Sequence, residues 1–314
     1  MRSRFAPSPT GDLHLGGAYV ALASWWMARR KEGAFVLRME DLDPPRVVAG
    51  SAARILEDLA WLGLAWEEEH TQSARFDHYA RALASLDARG LTYVCDCSRA
   101  EIARVASAPH AGEELVYPGT CRDADPDRVL KRQGAVRLRV PNERVVIEDG
   151  VAGAFAQNLA EDVGDFVLQR GDGVFAYQLA VTVDDLEMGI TDVVRGVDLL
   201  PSTPRQAFLA RLLGAKAPRT WHLPLVVDAH GQRLAKRTAG AHVRGLREAG
   251  VPRDEVIGEL AHALGLRGSG DPCSLQQLLD TPFEGWSPRG LDAWRIPERW
   301  AARAKPDQDE RSDR

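Results

Sequence analysis

Short apolar runs alternate with longer amphipathic stretches through the first ninety residues. An extended segment at 2–6 (RSRFA) precedes a helical pattern over 15–31, an apolar strand pattern at 34–41 (AFVLRMED), a helix over 50–62 and another over 76–89. Strand and helix periods in alternation predict an α/β fold with a parallel sheet. Past residue 90 the periodicity fades and Pro, Gly and Asp increase, which places an inserted lobe at 92–160. Within it, AVRLRV at 135–140 has the alternation of a half-buried strand. DFVLQR at 165–170 reads as re-entry toward the main sheet. VVRGVDLL, a helix over 203–213 and the strand-like HLPLVVD at 222–228 then complete a second half of the catalytic domain, taken as 161–240 after a first half at 1–91. From 241 to 300 the chain reads as helical, with Val256, Leu260, Ala263 and Leu264 at helical spacing. Residues 301–314 have almost no apolar content and read as a frayed tail.

Composition narrows the class. Hydrophobic residues are 45% and charged residues 27% of the chain, as in a globular domain rather than a disordered one. No run approaches the roughly 20 apolar residues of a membrane span, and a cytoplasmic monomer is expected. A net charge of −5 means that a polyanionic partner would need a local basic face.

Chemistry concentrates at two ends of the pattern. FAPSPTGDLHLGG, residues 5–17, sets two prolines, three glycines and His14 between a strand and a long helix. Backbone N–H groups and an imidazole at a helix start form a phosphate site, although a His that merely caps the helix explains the same residues. Neither a G-x-G-x-x-G fingerprint nor a P-loop is present. More than 200 residues on, QRLAKR at 232–237 puts Lys236 in a basic loop, which by itself reads more readily as a solvated surface.

Together the two segments resemble the "HIGH" and "KMSKS" signatures of the class I aminoacyl-tRNA synthetases, in the glutamyl/glutaminyl style with RFAPSP in front. The departures are Gly17 at the signature's final His, Arg233 for the first Lys and Ala235 for the Ser. The resemblance implies a Rossmann-type nucleotide-binding domain that uses ATP with Mg²⁺. His14, Gly16, Gly17 and Lys236 would lie at ATP, with His14 and Lys236 catalytic. MEDLDPPR, FAYQLAVTVDD and VVRGVDLL look like the family's glutamate-specific blocks. By position, Glu40 would receive the α-amino group of L-glutamate, while Arg4, Ser8, Tyr177 and Arg195 would hold its other groups. Arg195 suits the side-chain carboxylate, because a planar guanidinium matches it bidentately.

Three of the four cysteines fall in one stretch, Cys95, Cys97 and Cys121, with Tyr117 between them. In a chain expected to be cytosolic such clustering suits one structural Zn²⁺ better than disulfides. Tyr117 is the expected fourth ligand, with His110 and Asp123 as substitutes, and Cys273 is expected to be a small buried hydrophobe. The C-x-C…Y-x3-C order is similar to that of the glutamyl-queuosine tRNA(Asp) synthetases, a compact branch without an anticodon-binding domain; 77 residues follow Arg237 here. That likeness implies transfer of glutamate to queuosine in tRNA(Asp). The competing readings are a short glutamyl- or glutaminyl-tRNA synthetase that charges a 3′ end, and a catalytically silent paralogue that binds RNA or senses an amino acid.

Overall fold

The computed structural model describes residues 1–105, 116–228, 242–281 and 293–303. Along the chain run β1 (Arg2–Phe5), α1 (Leu15–Arg30), β2 (Ala34–Met39), α2 (Ser51–Leu62), β3 (Glu68–Thr71), α3 (Phe76–Asp87), β4 (Thr92–Cys95), α4 (Arg99–Val105) and β5 (Ala135–Leu138). The hairpin β6 (Arg144–Asp149) and β7 (Gly153–Asn158), then β8 (Val167–Gln169), α5 (Tyr177–Glu187), β9 (Asp192–Gly196), α6 (Thr203–Leu212), β10 (Arg219–Leu223) and β11 (Val226–Val227) follow. The last elements are α7 (Val243–Glu248), α8 (Arg253–Ala263), α9 (Leu275–Leu279), β12 (Trp294–Arg295) and α10 (Glu298–Arg303).

β1 and β2 are buried over nearly their whole length, as strands covered on both faces must be. They form the middle of a five-stranded sheet, ordered β10-β9-β1-β2-β3, in which every pairing is parallel. The chain builds outward from β1 through β2 to β3, and later returns on the other side of β1 with β9 and β10. The order therefore reverses between β1 and β9. In open parallel sheets a ligand crevice lies beyond the strand C-termini at such a switch.

α1 covers one face. Eleven of its residues are buried, too many for a one-sided surface helix, because helices from the far end of the chain close over it. The Tyr19 hydroxyl donates to the Ala263 carbonyl at 3.3 Å, and the Trp26 indole to the Leu278 carbonyl at 3.0 Å. Tyr19 also stacks on Trp294, which meets Trp300 edge-on. A second apolar cluster joins α3, α5, α6 and β8 through Tyr79, Phe175, Leu179 and Phe208.

Three expectations need correction. DFVLQR does not rejoin the parallel sheet: β8 pairs antiparallel with β5, in a separate sheet ordered β4-β5-β8. HLPLVVD is not one strand, since Pro224 has no N–H to give the ladder and separates β10 from β11, which pairs instead with β12. The terminal segment is helical to Arg303, with Trp300 fully buried; 304–314 lie outside the described residues. Among the described residues no helix is long and apolar enough to cross a membrane.

Candidate active site

The crevice at the switch point is a cleft of about 920 Å³. Arg4, Ser8, His14, Gly16, Gly17, Glu40, Tyr177 and Arg195 all line it. They come from β1, the loop after it and the first turn of α1, the end of β2, the start of α5, and β9, segments the parallel sheet brings to one edge. Backbone bonds hold the loop in place: the Glu40 N–H donates to the Pro7 carbonyl and the Val48 N–H to that of Pro9, each at 2.9 Å. Lys236 and the rest of 232–239 lie outside the described residues, as does His110.

His14 is the N-cap of α1. Its Nδ1 accepts the Gly17 N–H at 2.9 Å, so in the neutral ring the proton sits on Nε2. The capping and phosphate roles are thus compatible, because a capping His14 still carries an N–H donor. No acidic residue occupies the first turn of α1, leaving the positive end of the helix dipole uncancelled there.

The amino-acid end rests on buried charge. Arg38, with no exposed surface, donates from Nη1 to Asp185 Oδ1 at 2.6 Å and from Nη2 to Glu40 Oε1 at 3.1 Å, and its Nε lies 3.6 Å from Asp184 Oδ2. Arg4 Nε donates to the same Asp185 oxygen at 3.3 Å. Burial pushes the Glu40 carboxyl above the ordinary range, and Arg38 and Arg4 only partly offset it. Burial acts on Asp185 too, but there the two guanidinium groups prevail and hold it low. Glu40 thus has one guanidinium, Arg38, within hydrogen-bond reach, whereas Asp185 has two.

Arg195 is 4% exposed and donates from Nε to His222 Nε2 at 2.9 Å, from Nη2 to Thr203 Oγ1 at 2.8 Å and from Nη1 to the Tyr177 hydroxyl at 3.4 Å. All three acceptors are neutral, and among the described residues no carboxylate comes within ion-pair distance. Burial lowers the pKa of the guanidinium, with Arg4 adding to the effect. A buried cation without a counter-ion is costly until an anion arrives. The pocket is thus lined by a carboxylate paired with Arg38 and by a guanidinium that has no carboxylate within ion-pair distance among the described residues.

Sequence reading missed the support beneath this site: Arg38, Asp184, Asp185, Thr203, His222 and Asp149. A signal existed for the two aspartates, because acids inside the largely apolar AVTVDDL need partners if the helix is buried. No local signal marks Asp149 or His222, which are 73 residues apart.

Away from the cleft, the sulfurs of Cys95, Cys97 and Cys121 all lie within 4.8 Å of one another. The Tyr117 hydroxyl is 3.3 Å from Cys95 Sγ and 4.0 Å from Cys97 Sγ. Tetrahedral zinc with about 2.3 Å Zn–S bonds needs sulfurs just under 4 Å apart, so this donor set fits a metal. Asp123 does not join it, being 91% exposed and paired outward with Arg139. Tyr117 is seated by Gly164, which has φ 69° and where a Cβ would come 2.8 Å from the Tyr117 carbonyl oxygen. Cys273 is buried in the core beneath α8.

Residues 1–274 match the catalytic domain of the class I tRNA synthetases (E and Q). A glutamyl-Q tRNA(Asp) synthetase from Deinococcus radiodurans is 50% identical over 268 residues, covering 83% of this chain and 88% of its own. One from Nitratidesulfovibrio vulgaris is 46% identical over 281 residues, covering 85% and 87%. The crystal structure of a glutamate tRNA ligase from Elizabethkingia meningosepticum in complex with its amino acid superposes with a TM-score of 0.82 at 26% identity, covering 96% of this chain and 68% of that one.

Proposed function

The chain belongs to the class I tRNA synthetases of the E and Q type and is a ligase, and from that membership we propose that it activates L-glutamate with ATP and transfers it to queuosine in the anticodon of tRNA(Asp). The observation that carries the amino-acid assignment is Arg195, a buried cation whose hydrogen-bond partners are all neutral, facing the same cleft as the carboxylate of Glu40. Glutamate offers one cation and two anions. Its ammonium goes to Glu40, its side-chain carboxylate to Arg195 and Tyr177, and its α-carboxylate toward Arg4 and Ser8.

In the first step an oxygen of the α-carboxylate attacks the α-phosphorus of ATP, the bond to the bridging oxygen breaks, and pyrophosphate leaves. No proton has to move. His14 Nε2–H and the amides at the start of α1 stabilise charge on the phosphates, and Lys236, outside the described residues, would supply a cation. ATP brings Mg²⁺ as part of the substrate. In the second step the glutamyl carbonyl passes to the acceptor and AMP leaves. The cysteine cluster with Tyr117 would hold one Zn²⁺, which supplies a structural cross-link and no catalysis.

Pyrophosphate exchange tests the first step, with exchange expected for glutamate and at most a hundredth as much for glutamine, since the neutral amide leaves Arg195 uncompensated. Equal exchange with glutamine would remove the assignment of Arg195. The acceptor follows the names of the curated relatives and the C-x-C…Y-x3-C order. Labelled glutamate should pass to tRNA(Asp) only when it carries queuosine; efficient charging of tRNA(Glu) would favour the 3′-end reading instead.

A further inference from the structure

Arg195 is held from behind by a chain of buried groups that begins on a different sheet. His222, on β10, is 1% exposed, and its Nε2 faces the Nε–H of Arg195 at 2.9 Å. An N–H cannot point at an N–H, so Nε2 must keep its lone pair and the ring proton must sit on Nδ1. Nδ1 faces Asp149 Oδ2 at 2.6 Å. The other Asp149 oxygen accepts the backbone N–H groups of His222, Val151 and Ala152 at 3.1, 3.0 and 2.9 Å, which leaves the carboxylate one orientation. The hairpin is pressed onto β10 at this point. The Gly150 N–H donates to the Thr220 carbonyl at 2.9 Å, and a Cβ on Gly150 would come 2.1 Å from the Trp221 ring.

We propose that Asp149 is a positioning residue for amino-acid selectivity: it fixes His222 as the neutral Nδ1–H tautomer, which orients Arg195 toward the substrate carboxylate while keeping a counter-charge out of its reach. A carboxylate in direct contact with Arg195 would hold it equally well, but would neutralise the charge that tells glutamate from glutamine. The imidazole separates the two functions. Hydrogen bonding anchors the guanidinium, and the negative charge that orders the imidazole stays one ring away. This inference rests on the glutamate reading above.

The decisive variant is Asp149→Asn. Its amide can donate to Nδ1, allowing His222 to move its proton to Nε2 and oppose Arg195. In pyrophosphate exchange, glutamate KM should rise about tenfold or more, the KM for ATP should stay within about threefold, and the preference for glutamate over glutamine should fall by about the same factor as KM rises. Adding His222→Gln to Asp149→Asn should recover most of that loss, because a glutamine amide has no tautomer to lose and can turn its oxygen to Arg195. A folded Asp149→Asn with unchanged glutamate KM overturns the proposal, and so does a defect the double variant fails to relieve, which would mark a structural role. Should Asp149→Asn not fold, His222→Gln against His222→Leu decides: the leucine variant must bind glutamate more weakly, and equal KM values overturn it. Failure of the unsubstituted protein to exchange with glutamate would instead remove the functional reading on which this rests.

Discussion

Arg38 sits near the C-terminal end of β2 without any exposed surface, surrounded by Glu40, Asp184 and Asp185. Asp184 is further bound by Gln72, Arg75 and Tyr79, so one guanidinium sits among carboxylates that several elements hold rigidly. Removing a single partner from a buried ion cluster costs more than the cluster contributes, because the remaining charges are stranded. Arg38→Met is therefore expected to lose about 3–5 kcal/mol in denaturant unfolding at neutral pH. A loss below about 1 kcal/mol would show that water reaches the cluster. Glu40 would lose its neighbour in the same variant, so glutamate binding should weaken as well.

At the scale of elements, α2 and α7 meet over a carboxylate with no exposed surface. Neither oxygen of Asp58 has a hydrogen-bond donor, and its nearest cation is Arg247 Nη1 at 3.6 Å. Burial pushes its pKa up to about 6, with Arg244 and Arg247 opposing. A carboxyl whose folded pKa lies above its unfolded one favours folding most below the unfolded value. The contribution from Asp58 is thus full below about pH 4 and is lost as pH rises through about 6. Asp58→Asn should accordingly gain roughly 2 kcal/mol at pH 7.5 and almost nothing at pH 4. Denaturant midpoints of both proteins across that range are the measurement; a gain independent of pH would point to repacking rather than titration.

Over the whole molecule, long-range ties make up for short elements. The loop that carries Tyr117 is bound to residues 95–97 through the cysteine cluster, and Asp96 adds to this by accepting from Arg128 at 3.0 Å and from the Lys131 N–H at 2.8 Å. With about one zinc per chain bound, as proposed, this segment would gain a cross-link that does not depend on a large core. Protein purified without chelator should contain it, and a strong chelator should lower the melting temperature while leaving an isolated glutamate pocket intact before unfolding begins. Cys97→Ser should lose the metal, and Tyr117→Phe should weaken its retention less. Three freely titrating thiols in folded, metal-free protein with the same melting temperature would exclude the metal.

The residues themselves determined much of this. The switch from helical to strand period gave away α1, α2, α3, β1 and β2, because those elements bury apolar faces whose spacing is local. The cleft residues from Arg4 to Arg195 were legible through ordered motifs that resemble a family's, and the parallel sheet brings them to one cleft. Only the tertiary structure decided the rest. β8 joined β5 rather than the parallel sheet, since strand pairing depends on which unpaired edge the chain reaches, and no local pattern encodes that. Asp149 and His222 became one relay because β6 and β10 pack together. The neutral hydrogen-bond partners of Arg195, on which its proposed role as a carboxylate receptor rests, are residues far apart in sequence that meet only in the folded chain.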